Sequence, residues 1–334
     1  MTHQMTRRSL LMSVPMLAAA RRLLAQEIRP TLTLRGLNHI AITVSDKKRS
    51  MEFYQGLFGW PINHTQGGTQ GLNADFSVGP TGIRIGSGPQ YITMSQGARP
   101  GWGHFCMTVE GFYVDRITQV LARHGVSRTR TSEAGPMKAW VRSRGPENGG
   151  ANQGTPEFYI NDPDGIRFQL QDPRYCGGPG VLGDGCPSVT PLESVLDVRD
   201  FQSFTLSVSN QERSLDFYQA LFGMTVKGRR GTVPMLGVGS GPQRLLIDGG
   251  AAASETPRIT RVCLAMDGFD PYKVQQALSQ FGVKPRGDAT GVPGPMVSWL
   301  RIRSEELGGA EGDTPELFFT DPDGIVIQLQ DASY

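Results

Sequence analysis

The sequence lacks the features that mark several large classes of protein. Its 33 basic and 31 acidic residues nearly balance, and no clustered basic face of the kind that binds nucleic acid is present. It contains no phosphate-binding loop, no dinucleotide-binding glycine pattern and no nucleophile–histidine motif of the hydrolase type. No apolar run is long enough to span a bilayer. The remaining expectation is a globular protein that acts on, or binds, a small molecule.

Histidine is scarce, since the chain has only five and none follows His124. Any histidine-based metal site must therefore lie in the first part of the chain. We expect His64 and His124 at the surface, because the first ends a strand-like run and the second closes a predicted helix, where its charge suits the helix dipole.

Cysteine is scarce too, with four in the chain. Cys106 and Cys263 lie inside strand-like runs and are predicted to be buried packing residues. Cys176 and Cys186 flank a glycine-rich segment that could bring them together. In an oxidising compartment these two could form a structural disulfide.

The first 25 residues contain four arginines and no acid. Arg7 and Arg8 precede Ser-Leu-Leu and a short apolar run, a pattern that resembles a bacterial twin-arginine signal. Residues 1–26 are therefore predicted to be a signal peptide, and the mature protein to be periplasmic or secreted. The alternative is a frayed amphipathic N-terminus. Ala20 and Ala25 are both imperfect cleavage sites.

A long internal repeat sets the architecture. The segment LNHIAITVSDKKRSMEFYQGLFG from Leu37 returns as FQSFTLSVSNQERSLDFYQALFG from Phe201, and TPEFYINDPDGIRFQLQD returns as TPELFFTDPDGIVIQLQD. A chain of 334 residues suits two domains. We place them at 35–173 and 199–334, joined by a glycine- and proline-rich linker at 174–198.

Each repeat contains two passes of one strand, one helix and several strands, which predicts an α+β fold with mixed, mostly antiparallel sheet. In the first strand Ile40 and Ile42 share one face and His39 the other. The same alternation separates His104 and Gln169 from the apolar residues beside them. If the strands curve into a cup, these three polar residues converge.

The motifs HIAITVSDKKRSMEFYQGLFG, GHFCMTVEG and DPDGIRFQLQ, with their duplicates, resemble the vicinal oxygen chelate superfamily of glyoxalases, bleomycin-resistance proteins and extradiol dioxygenases. The resemblance covers most of both predicted domains and implies two βαβββ modules in each. In that family a divalent metal is held by residues on three strands, and the matching positions are His39, His104 and Gln169. Iron, manganese and zinc are all compatible with such a set.

Gln169 departs from the family pattern, which has a carboxylate there, although some glyoxalases use glutamine. Glu157 on a neighbouring strand could supply the missing carboxylate. The alternative for the two histidines is a pair satisfied by hydrogen bonds in a polar cavity. In the second copy the equivalent residues are Ser203, Arg261 and Gln328, so no similar metal site is expected there. Arg261 is interpreted as a salt-bridged structural residue, with anion binding as the alternative.

Together with the predicted signal peptide, the resemblance implies an exported, metal-dependent enzyme of glyoxalase or dioxygenase type, acting on a small substrate with adjacent oxygens at a site in the first domain. It also implies a difficulty, because extradiol dioxygenases usually carry the active site in their second domain. The alternative is a non-catalytic binding protein of the bleomycin-resistance type. No catalytic base is identified, no nucleic acid or membrane span is expected, and assembly into a homo-oligomer stays open.

Overall fold

The computed structural model describes residues 31–66, 82–86, 90–146, 150–174, 192–250, 255–287 and 291–333. The predicted signal peptide, most of the predicted linker and the Cys176–Cys186 pair lie outside these ranges. The sequence also has a strand-like run at 75–78, which lies outside these ranges as well. Within the described residues, no helix is long and apolar enough to cross a membrane.

Two nine-stranded mixed sheets dominate the fold, one in each half of the chain, as the repeat predicts. The first has the order β2-β3-β4-β1-β5-β9-β8-β7-β6. Its strands are β1 (Leu34–Val44), β2 (Ile62–Gln66), β3 (Gly82–Ile85), β4 (Tyr91–Gln96), β5 (Gly101–Val109), β6 (Ser127–Arg128), β7 (Lys138–Arg144), β8 (Thr155–Asn161) and β9 (Arg167–Gln171).

The second sheet repeats this order as β11-β12-β13-β10-β14-β18-β17-β16-β15. Its strands are β10 (Val198–Ser207), β11 (Val226–Arg230), β12 (Val233–Gly237), β13 (Arg244–Asp248), β14 (Arg258–Met266), β15 (Lys284–Pro285), β16 (Val297–Arg303), β17 (Thr314–Thr320) and β18 (Val326–Asp331). In both sheets most neighbouring strands are antiparallel, which confirms the α+β prediction with mixed sheets.

Four helices accompany the strands: α1 (Lys47–Phe58), α2 (Val114–Arg123), α3 (Gln211–Phe222) and α4 (Pro271–Gln280). The first helix begins where Asp46 accepts a hydrogen bond from the backbone N–H of Arg49, and it ends at Gly59, whose φ of 62° is left-handed. Asn210 and Gly223 bound α3 in the same way. The repeat therefore extends to the helix caps.

The core is shared by the two halves, and residues Thr31–Tyr334 form one compact unit. Phe53 of α1 lies 6.2 Å, between ring centroids, from Phe319 of the second sheet. Phe168 of the first sheet lies 5.9 Å from the rings of both Tyr218 and Phe222 on α3. Each of these helices thus packs its aromatic side chains onto the sheet of the other half.

The strands alternate between the core and a polar face, as predicted. Ile40 and Phe105 are fully buried on the core side. The opposite side of the first sheet carries His39, His104 and Gln169, and we call it the first polar face. The matching side of the second sheet carries Ser203, Arg261 and Gln328 and is called the second polar face.

Two predictions about single residues have different outcomes. Cys106 and Cys263 are both buried, which confirms them as packing residues. The surface position predicted for His124 is wrong, because its side chain is only 8% exposed. His124 directly follows α2, and the turn there folds back so that Val126 donates its N–H to the carbonyl of Leu121. The side chain of His64 lies outside what the structure describes.

Candidate metal centre

His39 and His104 lie on adjacent antiparallel strands of the first sheet, where Ala41 faces His104 and His39 faces Cys106. This register places the two imidazoles diagonally on the same face, close enough to meet. Their Nε2 atoms are 3.3 Å apart. His39 is only 3% exposed, while His104 is partly exposed and opens the pair toward solvent.

Gln169 joins the histidines from β9, which runs parallel to β5 with Gln169 opposite Cys106. Its Oε1 atom lies 3.0 Å from Nε2 of His104. Its Nε2 atom is buried and has no hydrogen-bond partner among the described residues. An unsatisfied buried donor costs about 1–3 kcal/mol. The amide thus leaves its nitrogen unsatisfied while its oxygen points toward the histidine pair.

Asn38 controls the protonation of His39, and the sequence pattern did not indicate it. The register between β1 and β5 shifts between Leu37 and His39, which marks a bulge. A bulge re-aims side chains, and here the neighbouring Asn38 side chain reaches the ring of His39. The Oδ1 atom of Asn38 lies 2.7 Å from Nδ1 of His39 and can only accept. Nδ1 therefore carries the proton, and the lone pair on Nε2 points toward His104.

Aromatic rings surround the pair. Tyr91 on β4 stacks on His39 with ring centroids 4.6 Å apart, and Tyr159 on β8 meets His104 edge-on at 5.3 Å. Trp140 on β7 stacks on Tyr159 at 5.5 Å. Trp299 and Phe318 stack equivalently in the second half, so this aromatic pair belongs to the structure that the two halves share.

Glu157 does not supply the missing carboxylate. Its Oε1 lies 3.0 Å from Nε of the fully buried Arg144, and its Oε2 accepts from the hydroxyl of Tyr159 at 3.1 Å. Burial, followed by the charge of Glu157, raises the pKa of Tyr159 well above its usual value, so this hydroxyl keeps its proton. Among the described residues, no group of three histidine, cysteine, aspartate or glutamate side chains could hold a metal ion.

The three predicted residues nevertheless have the chemistry of a metal site. They offer two imidazole nitrogens and one amide oxygen, a set suited to first-row divalent ions. Ligand distances of about 2.1 Å place two ligands of one ion about 3.0–3.4 Å apart. The observed separations of 3.3 and 3.0 Å fall within that range. His104 must carry its proton on Nδ1 to offer Nε2 as a ligand.

The second polar face is chemically different. Gln328 is fully buried, as Gln169 nearly is, but its Oε1 accepts from Nη1 of Arg230 at 3.1 Å. The salt bridge expected for Arg261 is not found among the described residues, and its buried Nε has no partner there. Burial, followed by the charge of Arg230, lowers the pKa of Arg261 to about 10. A guanidinium thus lies beside the glutamine where the first face has histidines.

A family model described as the Glyoxalase/Bleomycin resistance protein/Dioxygenase superfamily matches residues 36–170 and again 200–329. No curated protein matches the sequence significantly.

Among solved structures, the chain is similar to a substrate complex of homoprotocatechuate 2,3-dioxygenase from Brevibacterium fuscum. The identity is 13% and the TM-score 0.60, over 92% of this chain and 84% of that one. It is also similar to a Mn(II)-bound glyoxalase from Novosphingobium aromaticivorans, with 14% identity and a TM-score of 0.59 over 90% and 83% of the two chains. At this level of identity the likeness concerns the fold.

Proposed function

Because the chain belongs to the glyoxalase/bleomycin resistance protein/dioxygenase superfamily, we propose that its first half is a metal-dependent enzyme acting on a small substrate with two adjacent oxygens. The observation that carries the proposal is the convergence of His39, His104 and Gln169 at 3.3 and 3.0 Å on one face. The manganese named for the similar glyoxalase supports a divalent ion.

His39 and His104 would hold the metal, and Gln169 would complete the ligand set. The bound ion would supply Lewis-acid polarisation of a substrate oxygen. Asn38 holds His39 in the tautomer that can coordinate, which saves the cost of reorganising the ring on binding.

The aromatic wall of Trp140 and Tyr159 lies beside His104, the more exposed of the two histidines. Both rings are buried and the guanidinium of Arg167 lies 4.7 Å from the centroid of Trp140, so the two rings hold His104 in place and leave no free face for a substrate. Tyr159 keeps its proton and Glu157 is bound to Arg144, so neither serves as a free base. The proton transfer that a glyoxalase reaction requires would thus fall to the substrate or to solvent.

Metal analysis after reconstitution tests this proposal. Purified protein incubated with Fe(II), Mn(II) or Zn(II) and desalted should retain about one equivalent of one of these metals. We expect His39→Ala to retain less than about 0.1 equivalent, since two remaining donors bind weakly. Ser203→Ala changes the equivalent residue of the second half and serves as the matched control, with full metal content expected.

The opposite outcome has a definite meaning. Wild-type protein that holds less than about 0.1 equivalent under all three conditions, with no change in His39→Ala, contradicts the enzymatic proposal. The neutral donor set would then favour a binding protein that takes up a small molecule without turnover.

We further propose that the protein is exported through the twin-arginine route, on the basis of the Arg7-Arg8 pair before Ser-Leu-Leu. When the full chain is expressed in a bacterial host, the mature protein should appear in the periplasmic fraction. The double variant Arg7→Lys/Arg8→Lys should stay in the cytoplasm. The double variant Arg21→Lys/Arg22→Lys is the control and should still be exported, and retention of both variants would argue against this route.

A further inference from the structure

A cavity of 410 Å³ opens on the second polar face. The described residues that line it include four basic side chains and no acidic one: Lys227, Arg230, Arg244 and Arg303. Met235, Pro242 and Leu246 form an apolar wall of the same cavity. It thus combines an apolar side with a concentration of positive charge.

Among the described residues, Glu316 is the one carboxylate that pairs with these basic side chains. Oε1 of Glu316 lies 2.9 Å from Nε of Arg303 and 3.1 Å from Nη1 of Arg230. All three of these side chains are at most 10% exposed. One acid shared by two buried guanidinium groups leaves one positive charge uncompensated, before Lys227 and Arg244 are counted. Buried charge without a counter-charge costs several kcal/mol per ion, so the cavity favours an anion.

Arg261 adds to the imbalance. It faces Thr205 across the β10–β14 pair, on the same side of the sheet as Ser203, and no described acidic residue pairs with it. Nε of Arg230 is likewise buried without a partner among the described residues. Arg230 and Arg261 thus each have a buried N–H group on the second polar face that lacks an acceptor among the described residues. An anionic ligand could balance their charge.

Most of the basic residues of the cavity are not part of the sequence that the two halves share. Arg244 lies opposite Ser203 exactly as Tyr91 lies opposite His39 in the first half. Arg261 replaces His104. Arg303 has an arginine counterpart, Arg144, in the first half. Lys227 and Arg230 do not, because the first half has Asn63 and Gln66 at the equivalent positions. Three of the four basic residues of the cavity therefore have no basic counterpart in the first half.

We propose that the second polar face binds a small organic carboxylate in this cavity. Planar guanidinium groups match a carboxylate with paired hydrogen bonds, and the apolar wall suits the hydrocarbon part of such a ligand. The volume lies at the lower end of the usual range for small-molecule pockets, about 300–1,000 Å³. This site is separate from the proposed metal centre, which lies on the first polar face.

Benzoate and its neutral analogue benzamide are the probes, measured by titration calorimetry on the whole chain. We expect benzoate to bind at least about tenfold more tightly than benzamide, since only its charge differs substantially. Arg244→Gln, which removes a basic residue at the partly exposed side of the cavity, should weaken benzoate binding about tenfold. Arg258→Gln makes the same charge change on the exposed surface outside the cavity and should leave binding unchanged.

Three results would overturn the inference. Equal binding of benzoate and benzamide would show that the charge does not select the ligand. Loss of benzoate binding in His39→Ala, with Arg244→Gln unaffected, would place the carboxylate at the metal centre. Inorganic phosphate that binds as tightly as benzoate, with the same dependence on Arg244, would contradict selection of an organic carboxylate. Retention of benzoate binding in His39→Ala supports the inference even if the protein proves to bind no metal.

Discussion

Gln169 determines the charge of the candidate metal centre. With two neutral imidazoles and one neutral amide, a divalent ion would keep its full double charge in a site that is mostly buried. Ligand charge is one of the main determinants of metal affinity in proteins. The amide therefore predicts a weaker or more exchangeable metal than a site with a carboxylate, and it leaves more positive charge to attract substrate oxygens.

The substitution Gln169→Glu tests this at the level of one residue. It keeps the length of the side chain and adds one negative charge next to His104, so we expect at least about tenfold tighter binding of Mn(II). Competition against a chelator of known affinity measures the change.

Gln328→Glu is the matched control, because it introduces the same charge at the equivalent position of the second half. It should instead pair with Arg230 and leave Mn(II) affinity unchanged. An unaltered affinity in Gln169→Glu would mean that this side chain does not reach the metal.

At the level of single elements, the sequence predicts most of what positions the site. The period-two alternation around His39, His104 and Gln169 correctly assigns all three to polar faces, because each strand has one side in the core. Asp46 and Gly59 mark the ends of α1 because capping chemistry is local.

The features that could not be predicted depend on contacts between elements. The bulge that lets Asn38 hold His39 is a property of the β1–β5 register, and a single strand does not reveal it. Arg261 was expected to find a counter-charge, but Glu316 is already shared by Arg230 and Arg303. Glu157 on β8 forms an ion pair with Arg144 on the neighbouring strand β7. A contact between two strands of this kind cannot be inferred from the sequence of either strand alone.

At the scale of the whole molecule, the Asp-Pro-Asp-Gly turn of each half docks onto the helix of the other half. Asp162 caps its own turn by accepting from the backbone N–H of Asp164 and Ile166, and its Oδ2 accepts from the hydroxyl of Tyr218 at 3.0 Å. Asp321 accepts from Tyr54 at 2.9 Å in the same way. The repeat thus encodes a reciprocal contact between the halves in addition to a turn.

Docking buries both carboxyls completely, and this burial raises the pKa of Asp162 and of Asp321 from 3.8 to about 6 against the opposing effect of their hydrogen bonds. Between pH 3.8 and about 6 the folded protein keeps these protons while the unfolded chain releases them. The contribution of each group to the free energy of unfolding is therefore greatest below pH 3.8 and is lost by about pH 6. The loss is about 3 kcal/mol per carboxyl, since one pKa unit corresponds to about 1.4 kcal/mol.

Replacement of either residue by asparagine removes the titrating proton while leaving a side chain that can hydrogen-bond both the turn and the tyrosine. Relative to wild type, the free energy of unfolding of Asp162→Asn or Asp321→Asn should rise by about 3 kcal/mol between pH 4 and pH 7. Urea unfolding at a series of pH values measures this difference. Asp267→Asn changes an exposed aspartate, and its free energy of unfolding should have the same pH dependence as that of wild type. The contrary result is that the free energy of unfolding of the Asp162 and Asp321 variants shows the same pH dependence as that of wild type. These carboxyls would then be hydrated in the folded protein, and that result would exclude the docked arrangement in solution.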